Sequence, residues 1–103
     1  MNTAINDIIV ERERQKSAEG WTPEHDDEHS DGSLAMAAAC YAGDRRKWNK
    51  AAPVNWPWGD DWWKPKNPRR DLVRAAALIV AEIERLDRAR LKDQSHDQKG
   101  APE

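Results

Sequence analysis

From Leu72 to Leu86 the apolar residues return every three or four positions: Leu72, Ala75, Ala76, Ile79, Val80, Ile83 and Leu86. That period belongs to one face of an α-helix and to no strand. Pro68 suits a first helical turn, and Asn67 before it can cap the free backbone N–H groups. The spacing predicts a helix from about residue 68 to 92, with the stripe turned to a core and Glu82, Arg85, Arg88 and Arg90 turned to water. Beyond Lys92 the chain is polar and has no stripe, so residues 93–103 are expected to form a flexible tail outside a single domain of residues 1–92.

Two shorter helices are expected upstream. Ile5, Ile8, Ile9 and Arg12 lie at helical spacing before a run of good helix formers, which predicts a helix from Thr3 to Ala18 closed by Gly20. Thr22 and Pro23 have the cap and first-turn chemistry of another short turn. Ser30 or Asp31 can cap a helix over Ser33–Ala42, whose alanines, Leu34, Met36, Cys40 and Tyr41 allow close packing before Gly43 ends it. The expected architecture is all-α: three main helices with a long Trp-rich irregular loop between the second and the third.

That loop is the least ordinary part of the chain. Residues 44–67 contain Pro53, Pro57 and Pro65 and show neither strand nor helix period, yet they hold Trp48, Trp56, Trp58, Trp62 and Trp63. Indoles bury large apolar areas, so the segment is expected to fold over the helices. Between residues 45 and 70, Arg45, Arg46, Lys47, Lys50, Lys64, Lys66, Arg69 and Arg70 supply eight positive charges against Asp60 and Asp61. Cations interleaved with aromatic faces suit a nucleotide, whose base stacks and whose phosphates pair. They equally suit a protein interface, where Trp and Arg are the usual anchors, or a core that three short helices cannot complete.

Composition bounds the rest. A chain of 103 residues with 38% hydrophobic and 35% charged residues makes one domain with a modest core, which a second subunit could complement. A homo-oligomer is therefore expected, all the more because the last helix carries more apolar stripe than its short neighbours can cover. Cys40 stands alone among alanines, so no intrachain disulfide can form, and a small buried side chain is the expectation. The N-terminal residues lack the features of a signal peptide, and no stretch approaches the roughly 18–20 apolar residues of a membrane span. A cytoplasmic protein is expected.

Two further groupings carry chemistry. Glu24–Asp31 packs five carboxylates with His25 and His29 into eight residues. Placed on a helix, the two histidines share a face at a spacing that suits a divalent metal, although no second pair of ligands accompanies them. Alternatively the acids pair with Arg12, Arg14 or the arginines after Pro68. On the last helix Glu84 and Asp87 are three apart, so their carboxylates share a face. No phosphate-binding Gly-rich loop and no nucleophile motif is present.

The strings Glu11–Gln15, Gly20–Asp27 with His29, Leu34–Tyr41, Trp56-Pro57-Trp58, Trp62-Trp63-Lys64-Pro65, Arg69–Leu72 and Ala81–Asp87 resemble a group of small proteins of tailed phages and prophages. The resemblance implies a phage accessory protein acting in the host bacterial cytoplasm. The Glu84/Asp87 pair is also similar to the magnesium-binding pair of the all-α MazG-like nucleotide pyrophosphohydrolases, though their partner E-x-x-E pair is missing here.

Three functions follow as expectations. The favoured one is a binder, not an enzyme, that sequesters a nucleotide or nucleotide-derived signal of host defence and needs no cofactor. Its candidate residues are Trp21, His25, Asp26, Asp27, His29, Trp62, Trp63, Lys64, Arg69 and Arg70: indoles for the base, cations for phosphates, the acidic-histidine run for polar edges. The second is an anti-CRISPR-like inhibitor that binds a host effector protein through the Trp/Arg loop. The third is a Mg²⁺-dependent MazG-like hydrolase in which Glu84, Asp87, Glu24 and Asp27 hold the metal.

Overall fold

The computed structural model describes residues 3–43 and 51–100, with side chains described as far as residue 92. Among these residues are four helices, α1 (Thr3–Ser17), α2 (Pro23–Asp27), α3 (Ser33–Ala42) and α4 (Pro68–Gly100), and a 3-10 turn at Asp60–Trp62. The fold is all-α, with no strand among the described residues. Arg45, Arg46, Lys47, Trp48 and Lys50 of the basic-aromatic run lie outside the described residues. No described helix is long and apolar enough to cross a membrane.

Local chemistry sets the helix ends. Gly20 takes a φ of +77°, a left-handed conformation that costs glycine nothing, and the Trp21 N–H then donates back to the Gln15 carbonyl at 2.9 Å. Two residues on, Thr22 Oγ1 accepts from the His25 N–H at 3.3 Å and Pro23 opens α2. The cap position of α3 is held by Gly32, at φ +86°, and Asp31 Oδ1 reaches past it to accept from the Ser33 N–H at 3.0 Å. Asn67 caps α4 through a 2.8 Å bond from the Arg70 N–H. That helix runs on to Gly100, past the boundary near residue 92 that the end of the stripe suggested.

The core forms where α3 meets α4. Leu34, Ala37, Ala38 and Tyr41 pack with Ala75, Leu78 and Ala81, and Trp56 and Trp63 close the cluster. Tyr41 stacks on Trp63 with centroids 4.7 Å apart and meets Trp56 edge-on at 5.5 Å. Its hydroxyl accepts from the Lys64 N–H at 3.1 Å, tying the end of the loop to α3. Alanines bring the two helices close, and two indoles supply the volume that alanines lack.

The orientation of two helices departs from the expectation. On α4 the buried positions are Asp71, Arg74, Ala75, Leu78, Ala81 and Arg85, together with Val73 and Ala77. The large residues of the stripe, Leu72, Ile79, Ile83 and Leu86, are each about half exposed. Likewise on α1, Ile5, Ile9 and Val10 are exposed while Glu11, Arg12 and Gln15 are buried. The reason is electrostatic. Charged side chains enter the interior because each finds a partner there: Arg70 and Arg14 bond Glu11 at 2.6 and 2.8 Å, Arg12 bonds Asp26 at 2.7 Å, and Arg74 bonds the Lys64 carbonyl. Hydrophobic periodicity alone cannot register such pairing.

A candidate binding cleft of indoles and imidazoles

Between α2, the segment before it and the tip of the Trp loop lies an open cleft of about 440 Å³, lined by Glu19, Trp21, His25, His29, Trp58, Gly59 and Trp62. Its aromatic groups touch in sequence. Trp21 stacks nearly parallel to His25 (6.1 Å, 8°) and tilts onto Trp58 (5.6 Å), while His29 meets the edge of Trp58 at 5.6 Å. Trp62, 47% exposed, stands at the rim with the Lys64 ammonium 5.4 Å above its ring.

Arg12 fixes the floor from behind. Its guanidinium donates to Asp26 Oδ2 at 2.7 Å, to the Trp21 carbonyl at 3.2 Å and to Glu84 Oε1 at 3.2 Å, so one side chain of α1 holds the residue before the cap of α2 and an acid within α2, and ties both to α4. Asp26 is fully buried and uses its second oxygen, Oδ1, to accept from His25 Nδ1 at 3.1 Å. His25 Nε2 then faces His29 Nε2 at 3.3 Å, and His29 Nδ1 faces Ser33 Oγ at 3.2 Å. This continuous chain assigns the tautomers. A carboxylate on Nδ1 places the proton of His25 there, so His25 Nε2 accepts from His29 Nε2–H, and His29 Nδ1 accepts from the Ser33 hydroxyl.

On the far side of α2, Asp27 and Ser30 share a second groove, about 580 Å³, with Arg85, Arg88 and Lys92. Asp27 Oδ1 accepts from Arg88 at 2.8 Å, a bond that holds the Asp27 carboxyl below its usual range, and Arg85 is occupied by Glu82 at 2.8 Å. Behind the cleft Glu11 takes bonds from Arg14, Gln15 and Arg70. Burial alone would push the Glu11 carboxyl up, but those two arginines outweigh it and hold the group below its ordinary value. Burial pushes the Cys40 thiol up.

Of the residues singled out from the sequence, Trp21, His25, His29 and Trp62 converge on the cleft, and Lys64 sits beside them over the Trp62 ring. Asp26 lies beneath it as a buried support, and Asp27 turns to the other groove. Trp63 is in the core. Arg69 pairs with Asp7 at 2.9 Å and Arg70 with Glu11, both on α1 and lining a different surface depression from the cleft. For the hydrolase set, Glu84 is engaged by Arg12, Asp27 by Arg88, and Glu24 and Asp87 are exposed. Among the described residues no three His, Cys, Asp or Glu side chains converge in a way that could hold a metal ion. Sequence reasoning missed Trp58 as a cleft wall, Arg12 as its support and Ser33 as the end of the imidazole chain. The interleaved tryptophans named Trp58 without telling which indoles turn inward.

No family model, no curated protein and no solved structure matches this chain.

Proposed function

We propose that the cleft binds a planar heterocyclic ligand, the base of a nucleotide or nucleotide-derived signal, and retains it without turning it over. The observation that carries this reading is the convergence of three indoles and two imidazoles on one opening, whose 440 Å³ falls in the range of small-ligand sites. Stacking between aromatic walls is worth about 1–3 kcal/mol per base and tolerates many ring systems. The arginines expected to take phosphates are committed to Asp7 and Glu11, which leaves Lys64, among the described residues, as the cation beside the cleft. Stacking on the ring is therefore the main contribution of the described residues to affinity. Retention is favoured over hydrolysis because two of the four acids a magnesium ion would need are already engaged, Glu84 by Arg12 and Asp27 by Arg88. In the setting implied by the resemblance to phage proteins, such a binder would withdraw a host signal from its receptor.

Isothermal titration with purine and pyrimidine nucleotides, including cyclic dinucleotides, tests the reading. Binding without phosphate release, weakened about tenfold or more in Trp62→Ala, supports it. Mg²⁺-dependent turnover lost in Glu84→Ala would instead favour the hydrolase.

The reading includes self-association. Leu72, Ala76, Ile79, Ile83 and Leu86 lie on α4 at the alternating spacing of four and three that lets one helix face pack on a copy of itself. Four of them remain half exposed in a helix of 33 residues, while α1 has only 15 and α3 only 10. A second copy is the occupant whose stripe matches by symmetry. Light scattering at micromolar concentration should give the mass of a dimer or larger, and Ile79→Glu with Ile83→Glu should give a monomer.

A further inference from the structure

We infer that His25 and His29 form a two-imidazole site for a divalent transition ion of tetrahedral preference, zinc being the best fit. It does not rest on the nucleotide reading, since the metal alone is the ligand.

The geometry of the pair is that of a chelate. Zinc–nitrogen bonds of about 2.0–2.1 Å across a tetrahedral angle separate the two nitrogens by roughly 3.3 Å. The two Nε2 atoms stand 3.3 Å apart. Their ring centroids are 4.6 Å apart and the ring planes are tilted by 53°. The two nitrogens share one hydrogen bond in the metal-free pair, and a small turn of either ring lets both lone pairs meet on one ion instead.

Both rings also have the outer support that metal-bound histidines have. His25 gives its Nδ1–H to the buried carboxylate of Asp26, which Arg12 holds from the other side. That bond fixes the tautomer with a free Nε2 lone pair. His29 Nδ1 meets Ser33 Oγ, a group that both donates and accepts. Without metal, the Ser33 hydroxyl donates to Nδ1 and His29 keeps its proton on Nε2. With metal, that proton leaves Nε2, a proton from water occupies Nδ1, and the hydroxyl turns to accept it. Proton count is conserved in this exchange of tautomers. The protein supplies two donors, leaving two positions for water or a donor atom of a molecule in the cleft that both imidazoles line.

Cobalt(II) titration followed by visible absorption, with zinc competition, tests the site on the full chain. The intense bands of tetrahedral cobalt are expected, removed by stoichiometric zinc. His25→Ala and His29→Ala should each lose them, Ser33→Ala should weaken cobalt binding about tenfold, and His96→Ala, the only other histidine in the chain, should leave them intact. Circular dichroism shows whether each variant remains folded. Should a variant unfold, zinc-induced shifts of the His25 and His29 ring protons in the unaltered protein decide the matter. The weak spectrum of octahedral cobalt, retention of the bands in a folded His25→Ala or His29→Ala protein, or unmoved ring protons would overturn the inference. Nucleotide titrations with chelator keep its failure distinct from failure of the cleft as a base-binding site.

Discussion

The described tryptophans of the long loop fall into two groups that serve opposite ends. Trp56 and Trp63 are each 8% exposed and close the core around Tyr41. Trp58 and Trp62, from the same segment, join Trp21 in the wall of an open cleft. Neighbouring residues 62 and 63 point to opposite sides because Trp62 ends a 3-10 turn and Trp63 leaves it in extended conformation. The lesson is a division of labour. Trp21 and Trp58 also pack against the core, Trp58 edge-on to Trp56 at 5.4 Å, so the half-exposed Trp62 is the indole at which binding and stability should be separable by mutation.

The largest expected effect lies in the interior. Trp63→Ala should lower unfolding free energy by about 3–5 kcal/mol, read by denaturant titration, because it opens a cavity under Tyr41. Arg12→Ala should cost a similar 3–5 kcal/mol, since it strands the fully buried carboxylate of Asp26. It should also loosen the cleft, as Arg12 holds the Trp21 carbonyl and Asp26 together. If Trp63→Ala left stability untouched while abolishing binding, the division between the two groups would be broken.

Smaller effects sharpen the contrast. Acidification should weaken the fold in a defined window. Glu11 has a lowered folded value, so its contribution is complete above the ordinary glutamate range of about pH 4–5 and is lost as pH falls through the depressed value. Glu11→Gln should flatten that part of the stability curve. Smallest of all, Trp62→Ala should change stability by less than about 0.5 kcal/mol, as expected of a half-exposed side chain, while weakening ligand binding about tenfold or more.

How far the sequence foretold this arrangement depends on the physics each element uses. Caps and breakers act locally, so Gly20, Thr22, Pro23, Gly43 and Asn67 marked helix ends that the structure shows. Burial was legible only where apolar character and core coincide, as at Leu34, Ala75 and Tyr41. It failed on α4 and α1, where Asp71, Arg74, Glu11 and Arg12 go inside and Ile79, Ile83 and Ile9 stay outside, because ion pairs at Glu11 and Arg12 and backbone partners at Asp71 and Arg74 leave no periodic trace. The cleft was half legible. His25 and His29 are near each other in any helical turn, whereas bringing Trp58 to them takes the return of a loop about thirty residues away.

The two-dimensional nitrogen–proton spectrum of the indole N–H groups, assigned by Trp→Phe variants, probes both sets at once. On titration with a panel of purine and pyrimidine nucleotides, the signals of Trp21, Trp58 and Trp62 should move together while those of Trp56 and Trp63 stay in place. Signals that never move with any of these compounds, or movement confined to Trp56 and Trp63, would contradict the assignment of the cleft as the binding surface.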